Sequence, residues 1–372
     1  MRVGIPKEIN TNETRVSASP DTVRRMHDMG LEVVIEKSAG LPSHWPDRKY
    51  TEAGAGIVDR EQAFAADVVF KLDKPTFDEI RWMRRAAVYM GFLDMCHDDG
   101  TWDALAEQGV SAFAMEMIPR ISRAQTMDAL SSQANIGGYR AVLEAAALFA
   151  RFFPMMMTSA GSAKPARVVV IGAGVAGLQA IATAKRLGAQ VWAYDVRPEV
   201  AEQIQSLGAK FIDLNVGESG EGSGGYAKQL SEDAQKRQQE LLAEELKKAD
   251  VIISTAQIPC RPAPVLILED AVLGMREGSV IIDMAAAAGG NCPLTEPDAT
   301  VTKHGVIISG ITNFPALMPT DASSFYARNL LNLLTLVYDQ DTKNIDLAKQ
   351  VDDDIVASSL ITLNGERRYR DN

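Results

Sequence analysis

Histidine, cysteine, basic charge and long apolar runs are all scarce in this chain. The four histidines (His27, His44, His97, His304) lie far apart, which leaves a metal site or a Ser-His-Asp arrangement without its usual components. The three cysteines, Cys96, Cys260 and Cys292, include no CxxC pair, so neither a disulfide framework nor a zinc knuckle is indicated and a reducing compartment fits. No stretch approaches the ~18 uninterrupted apolar residues of a membrane span, and the start Met1-Arg-Val-Gly-Ile-Pro-Lys7 has no apolar signal region. Lys and Arg number 38 against 49 Asp and Glu, and the net charge of −11 argues against nucleic acid or an anionic membrane as a partner surface. What remains is an ordinary globular composition, 46% hydrophobic and 23% charged, in 372 residues, enough for two domains with a core each.

The most informative stretch runs from Arg167 to Asp195. Residues 168–171 (Val-Val-Val-Ile) read as a strand, Gly172-Ala-Gly-Val-Ala-Gly177 as a turn, 178–187 as a helix and 191–195 (Val-Trp-Ala-Tyr-Asp) as a second strand ending in an acid. This is the pattern of a bound dinucleotide. Gly172 allows the tight turn, Gly174 lets a pyrophosphate approach the backbone, and Gly177 lets helix and strand pack closely. Val175 and Ala176 open the helix, whose N-terminal N–H groups and dipole favour the phosphates. Asp195, about twenty residues past the glycines, would accept the adenosine-ribose hydroxyls and repel a 2′-phosphate, so NAD(H) is favoured over NADP(H). Val196 and Arg197 come next in the same segment, and Arg197 could in principle pair with a phosphate. The competing readings are an ordinary strand-helix turn and a solvated acid at a strand end.

Short apolar, β-branched runs alternate with helix-sized segments along the whole chain. Residues 3–5, 31–35, 68–72, 87–90 and 110–114 form one βαβ series, and 168–171, 190–195, 210–212, 251–254, 280–283 and 306–309 a second. Six strands after a dinucleotide fingerprint are the count of a doubly wound domain. Ser19-Pro20-Asp21 is a helix entry. Residues 126–151 read as a connecting helix, with Met127, Leu130, Ala134 and Leu148 able to line one side. Tyr326, Leu330, Leu333 and Val337 recur at the spacing of a second long helix. The expected architecture is therefore α/β, with two Rossmann-like doubly wound parallel-sheet domains joined by two long helices across a cleft. Residues 1–130 plus 311–372 would make the first domain and 131–310 the second. Asn364-Gly365 signals a hairpin. The glycine-rich and then polar segment 215–243, with Tyr226 and Ala227 at its centre, reads either as a mobile lid or as a surface excursion.

The block Pro119-Arg-Ile-Ser-Arg-Ala-Gln-Thr-Met-Asp-Ala-Leu-Ser-Ser-Gln-Ala-Asn135 carries more polar groups in fixed order than a helix lead-in needs. It resembles the NAD(H)-binding component, domain I or alpha subunit, of proton-translocating nicotinamide nucleotide transhydrogenase, within the alanine dehydrogenase superfamily. Gly4-Ile-Pro-Lys-Glu8 with Glu13-Thr-Arg-Val16, the Gly172–Ile181 block, Gly224-Gly-Tyr-Ala-Lys228 and the segment from Asp283 to Cys292 support the likeness, which runs to about residue 340. The resemblance implies that Arg120, Gln125, Asp128 and Ser131 hold the nicotinamide end, with Gln125 reaching toward the partner's nucleotide. It also implies that Tyr226 and Ala227 belong to a loop closing over NAD(H). It further implies a homodimer, partner subunits that bind NADP(H) and span the membrane, and a peripheral place on the cytoplasmic face of the inner membrane, with no metal.

Alanine dehydrogenase is the nearest alternative. Relatives with that activity carry a histidine where Asp94 stands in Phe92-Leu-Asp-Met95, and an aspartate where Ala287 stands, although Arg15 and Lys71 match a carboxylate-binding pair. A catalytically silent NAD(H)-sensing module is a third reading.

Overall fold

The computed structural model describes residues 1–214 and 232–369. It divides into two compact units, Met1–Gln133 with Pro315–Asn372, and Ala134–Phe314. The chain leaves the first unit within helix Ala129–Leu148 and re-enters it after Phe314.

In the first unit, β1 (Arg2–Ile5), β2 (Glu32–Glu36), β3 (Gly56–Val58), β4 (Val68–Phe70), β5 (Val88–Gly91) and β6 (Ser111–Ala114) pair in parallel. In the second, the antiparallel hairpin β7 (Met156–Thr158) and β8 (Gly161–Ala163) precedes a sheet. That sheet contains β9 (Arg167–Ile171), β10 (Gln190–Tyr194), β11 (Lys210–Phe211), β12 (Val251–Ser254), β13 (Val280–Asp283), β14 (Thr300–Lys303) and β15 (Val306–Ser309). The chain then returns to the first unit with the small pair β16 (Tyr338–Asp339) and β17 (Asn344–Ile345), and with β18 (Leu360–Leu363) and β19 (Glu366–Arg367).

Among the described residues, the sheet orders are β19-β18-β6-β5-β4-β1-β2-β3 and β11-β10-β9-β12-β13-β15-β14. Counting only the parallel strands of each unit, both sheets show the order 3-2-1-4-5-6 of a doubly wound nucleotide fold. The parallel core is what uninterrupted apolar strands predict, since both faces must be covered. Alternate residues of β9 serve opposite faces: Val168 and Val170 join one buried cluster, Val169 and Ile171 another.

Three strands depart from the parallel expectation. β14 runs antiparallel to β15, β18 runs antiparallel to β6, and β19 turns back on β18 through Asn364 and Gly365, both left-handed. The hairpin was legible in the sequence. The β18–β6 join was not, because its register depends on partners far along the chain, and the local β14–β15 hairpin was missed because Thr300-Val-Thr-Lys303 offers only one apolar residue.

Helix Pro20–Asp28 begins as its sequence suggests, Ser19 accepting the Thr22 N–H in a capping box. The second long helix spans Pro319–Val337, with Tyr326, Leu330, Leu333 and Val337 fully buried. The first starts at Ala129 rather than 126, because Ser122–Met127 winds as a 3-10 turn and Asp128 caps the helix proper. Leu130 accordingly faces outward, at 44% exposure, instead of lining the packed side. No helix among the described residues is long and apolar enough to cross a membrane.

The first unit buries an unusual set of charges. Lys71 Nζ lies 2.6 Å from Glu8 Oε2, and Glu8 also accepts the Leu72 N–H at 2.7 Å. Arg15 binds Glu13 through Nε (2.7 Å) and Nη2 (2.6 Å), and Gln133 Oε1 through Nη1 (2.9 Å). Burial pushes the Glu8 carboxyl up to about 7, the Lys71 charge opposing the shift. A carboxyl raised in the folded state binds its proton more tightly there than in the unfolded chain. Its contribution to stability is therefore complete below about 4.5 and is lost as pH rises through about 7. Urea unfolding of the wild type should show this slope, and Glu8→Gln should lack it. Above that pH, Glu8→Gln strands the Lys71 ammonium and should cost about 3 to 5 kcal/mol, most of it recovered in the Glu8→Gln, Lys71→Met double variant. A cost below about 1 kcal/mol for the single variant would show that the pair holds nothing in place.

Candidate dinucleotide site

The strands of the second sheet end together at Ile171, Tyr194, Ser254, Asp283 and Ser309. The order reverses between β9 and β12, and this is where a doubly wound sheet opens a crevice for a ligand. Each of the three glycines after β9 meets a different demand. Gly172 is left-handed (φ 90°), and a Cβ there would come within 2.6 Å of Thr255 Oγ1. A Cβ on Gly177 would lie 1.8 Å from the Gly172 carbonyl oxygen, so helix and turn can approach only over a bare Cα. At Gly174 a Cβ would meet nothing within 4 Å, so what glycine keeps clear there is open space above the backbone. Helix Val175–Arg186 starts from Gly174 without a side-chain cap, which leaves its first N–H groups to a ligand. Val175 is 42% exposed and Ala176 half-buried beside this opening. An uncapped helix start, an open Cα and the switch point of the sheet together fit a pyrophosphate.

Asp195 lies just past β10 and is almost wholly buried. Its Oδ2 accepts the Ala173 N–H at 2.7 Å, and its Oδ1 accepts the Arg197 N–H at 2.9 Å. The Arg197 guanidinium completes the carboxylate with Nε on Oδ1 (2.9 Å) and Nη2 on Oδ2 (3.0 Å). The hydrogen bonds to Asp195 raise the guanidinium above its ordinary value. Val196, between the two, is half-buried and packs against the cluster of Tyr194 and Ile212. The sequence places Asp195 and Arg197 in one segment, but does not reveal that the two close on each other. Tyr226 and Ala227 lie outside the described residues.

Further along the same edge, Asp283 is fully buried and organises a loop. It accepts the N–H groups of Ala285, Asn291 and Cys292 and the hydroxyl of Thr295. Asn291 in turn receives Ser254 Oγ at 2.6 Å and donates to the carbonyls of Ala256 and Pro264. Thr255 Oγ1 hydrogen-bonds the carbonyls of Ile171 and Gly172 at 3.2 Å each, securing the glycine turn from the neighbouring strand. Thr255 does not stand out in the sequence. A threonine directly after a strand at the switch point was its one signal.

In the first unit the polar block Arg120–Ser131 is fixed from beneath. Ala124 and Met127 are buried, and Arg123 grips Asp353 at 2.7 and 3.1 Å. The Thr126 carbonyl accepts both Asn329 and Asn332 at 2.9 Å, and Asn329 also accepts Ser132 Oγ. Arg120 and Gln125 are left exposed on this held turn. Asp128 and Ser131 are half-buried and engaged with each other: Asp128 Oδ1 accepts the Ser131 N–H at 2.8 Å and Oδ2 the Ser131 hydroxyl at 2.6 Å. Two asparagines among the leucines of this helix, Asn329 and Asn332, were the overlooked sign that something polar is seated there.

The groups that would serve amino-acid oxidation are differently disposed. Arg15 and Lys71 are neither solvated nor at a loose strand end; both are buried and held by Glu13 and Glu8. Asp94 is 44% exposed and left-handed, with an ion pair to Lys74 and a contact of 3.1 Å to His97 Nδ1. Ala287 sits exposed in a 3-10 turn with no polar side chain to offer.

Comparison with known proteins agrees with this geometry. The model of the alanine dehydrogenase/PNT N-terminal domain matches residues 4–137, and that of the C-terminal domain residues 141–370. An NAD(P) transhydrogenase subunit alpha polypeptide of Rhodospirillum rubrum is 49% identical over 374 residues, covering 98% of this chain and 97% of its own. An alanine dehydrogenase of Staphylococcus saprophyticus is 30% identical over 382 residues, covering 98% and 94%. A solved structure of transhydrogenase from Sinorhizobium meliloti is 40% identical, covers 99% and 98% of the two chains, and superposes with a TM-score of 0.85. The chain belongs to the alanine dehydrogenase/PNT family and, within it, stands with the alpha subunits of NAD(P) transhydrogenase rather than with the alanine dehydrogenases.

Proposed function

We propose that this chain binds NAD(H) and presents it for direct hydride exchange with NADP(H) held on a partner subunit, in a complex whose membrane-spanning subunits couple the exchange to proton translocation. In this reading the turn Gly172–Gly177, with Val175 and Ala176, takes the pyrophosphate. Asp195 takes the adenosine ribose, with Val196 and Arg197 lining that position, and Tyr226 and Ala227 close over the nucleotide. Arg120, Gln125, Asp128 and Ser131 hold the nicotinamide end. The chain acts as a homodimer, peripheral on the cytoplasmic face of the inner membrane through its partners. These assignments rest on the family likeness together with the fit of the glycine turn.

The observation that carries the choice of reaction is the pairing of Arg15 with Glu13 and of Lys71 with Glu8. An amino-acid substrate needs cations free for its carboxylate and a base for its amine. Here both cations are already held by acidic side chains, and the positions of the acid-base groups are Asp94, turned to solvent, and Ala287. Nicotinamide supplies the hydride chemistry itself and needs no protein acid or base. What it needs from the protein is position, with the two reacting carbons brought to roughly 3 to 3.5 Å in line. A turn held by Asn329, Asn332 and Asp353, displaying Arg120 and Gln125, suits that task.

The reading is tested by mixing the chain with its NADP(H)-binding partner and following hydride exchange between NADH and an oxidised nucleotide analogue. Exchange without alanine-dependent NAD reduction supports it; alanine-dependent reduction by the isolated chain would favour the dehydrogenase instead. Gln125→Ala should slow exchange about ten- to hundredfold while NADH affinity stays within about twofold, a split expected of a positioning group. An equal loss in both would reduce Gln125 to a binding residue. Asp195→Ala should weaken NADH about ten- to hundredfold, the worth of hydrogen bonds to a carboxylate, and narrow the preference over NADPH. Unchanged selectivity in a binding titration would refute the role given to the acid.

A further inference from the structure

A carboxylate has about four lone-pair positions at which donors can sit. At Asp195 all four are taken. Two belong to the backbone, the Ala173 N–H on Oδ2 and the Arg197 N–H on Oδ1, and stay with the fold. The other two are Arg197 Nε on Oδ1 and Nη2 on Oδ2, donors on a side chain that rotates about its own bonds. The fork is well shielded, with side-chain exposures of 17% for Arg197 and 7% for Asp195, so solvent screens it only in part.

A ribose diol arriving at Asp195 must donate to oxygens that have no room for it while the guanidinium is there. We propose that Arg197 is a displaceable occupant of the adenosine-ribose position: its fork fills the acceptor positions that the ribose hydroxyls require, and the nucleotide binds by exchanging with it. The proposal rests on the reading of Asp195 as the ribose acid and deepens it.

The chemistry has two consequences. The exchange replaces a charge-assisted fork with neutral O–H donors, which make weaker hydrogen bonds, so Arg197 lowers NADH affinity below what the free acid would give. The fork also keeps the formal charge at the site near zero. A 2′-phosphate then meets a guanidinium beside the acid instead of a bare carboxylate, so Arg197 blunts the discrimination against NADP(H).

The sign of the first effect separates this from a merely electrostatic or structural role. Dinucleotides are anionic, so deleting a nearby cation should by itself weaken them; only removal of a competitor tightens them. In Arg197→Met, which keeps an apolar stem, NADH should bind about tenfold more tightly by fluorescence titration, the factor that about 1.4 kcal/mol represents. The ratio of NADH to NADPH affinity should rise with it. Arg197→Lys, whose single ammonium cannot span both oxygens, should tighten NADH about threefold and keeps the test open if the Met variant fails to fold. NADH affinity unchanged or weakened in Arg197→Met, or in Arg197→Lys if only that variant folds, would overturn the proposal. That result, with NADH bound by the wild type and weakened by Asp195→Ala, would leave the ribose assignment standing. Failure of the wild type to bind NADH would overturn both.

Discussion

Asp195 Oδ2 accepts the Ala173 N–H at 2.7 Å across 22 residues of sequence, and that bond ties the end of one strand to the turn after its neighbour. A second backbone bond, from the Gly172 N–H to the Tyr194 carbonyl at 2.8 Å, runs beside it. Together they place a left-handed glycine where the helix start faces open space, and Thr255 braces the same turn from the other side. The group that would recognise the ribose is thus also the group that holds the phosphate turn. Recognition and scaffold cannot be separated here, which is why an acid is needed rather than any polar residue: only a carboxylate accepts from two backbone donors and has positions left.

The first unit shows a different economy. It buries two cations, Arg15 and Lys71, each closed by an acidic side chain and by further hydrogen bonds, from Leu72 on Glu8 and from Arg15 on Gln133. A buried polar network satisfied in this way is rigid and specific, and opening it would leave uncompensated charge. The same residues therefore brace the first unit beside β1 and β4.

Much of this was legible in the sequence wherever the cause is local. The glycine turn, the acid just past β10, the cap at Ser19 and the Asn364-Gly365 hairpin each come from residues a few positions apart. The parallel order was legible as uninterrupted apolar strands. What escaped depends on distant partners. Asn329 and Asn332 reach back over 203 and 206 residues to Thr126, and β18 finds β6 across some 250. The start of the first long helix was misjudged for a local reason, since Asp128 bonds Ser131 and ends the preceding turn, overriding helical composition. The closure of Arg197 on Asp195 was hidden because adjacency does not say whether two charges face each other or part.

The second unit is an insertion in the first, contiguous from Ala134 to Phe314, whereas the first is assembled from both flanks. During synthesis the inserted unit therefore has every strand of its sheet before helix Pro319–Val337 and β18 have left the ribosome. Until then the early flank has β6 as a bare sheet edge, and the Thr126 carbonyl waits for its asparagines. Translation order thus delivers the second unit whole before the distal residues that complete its neighbour.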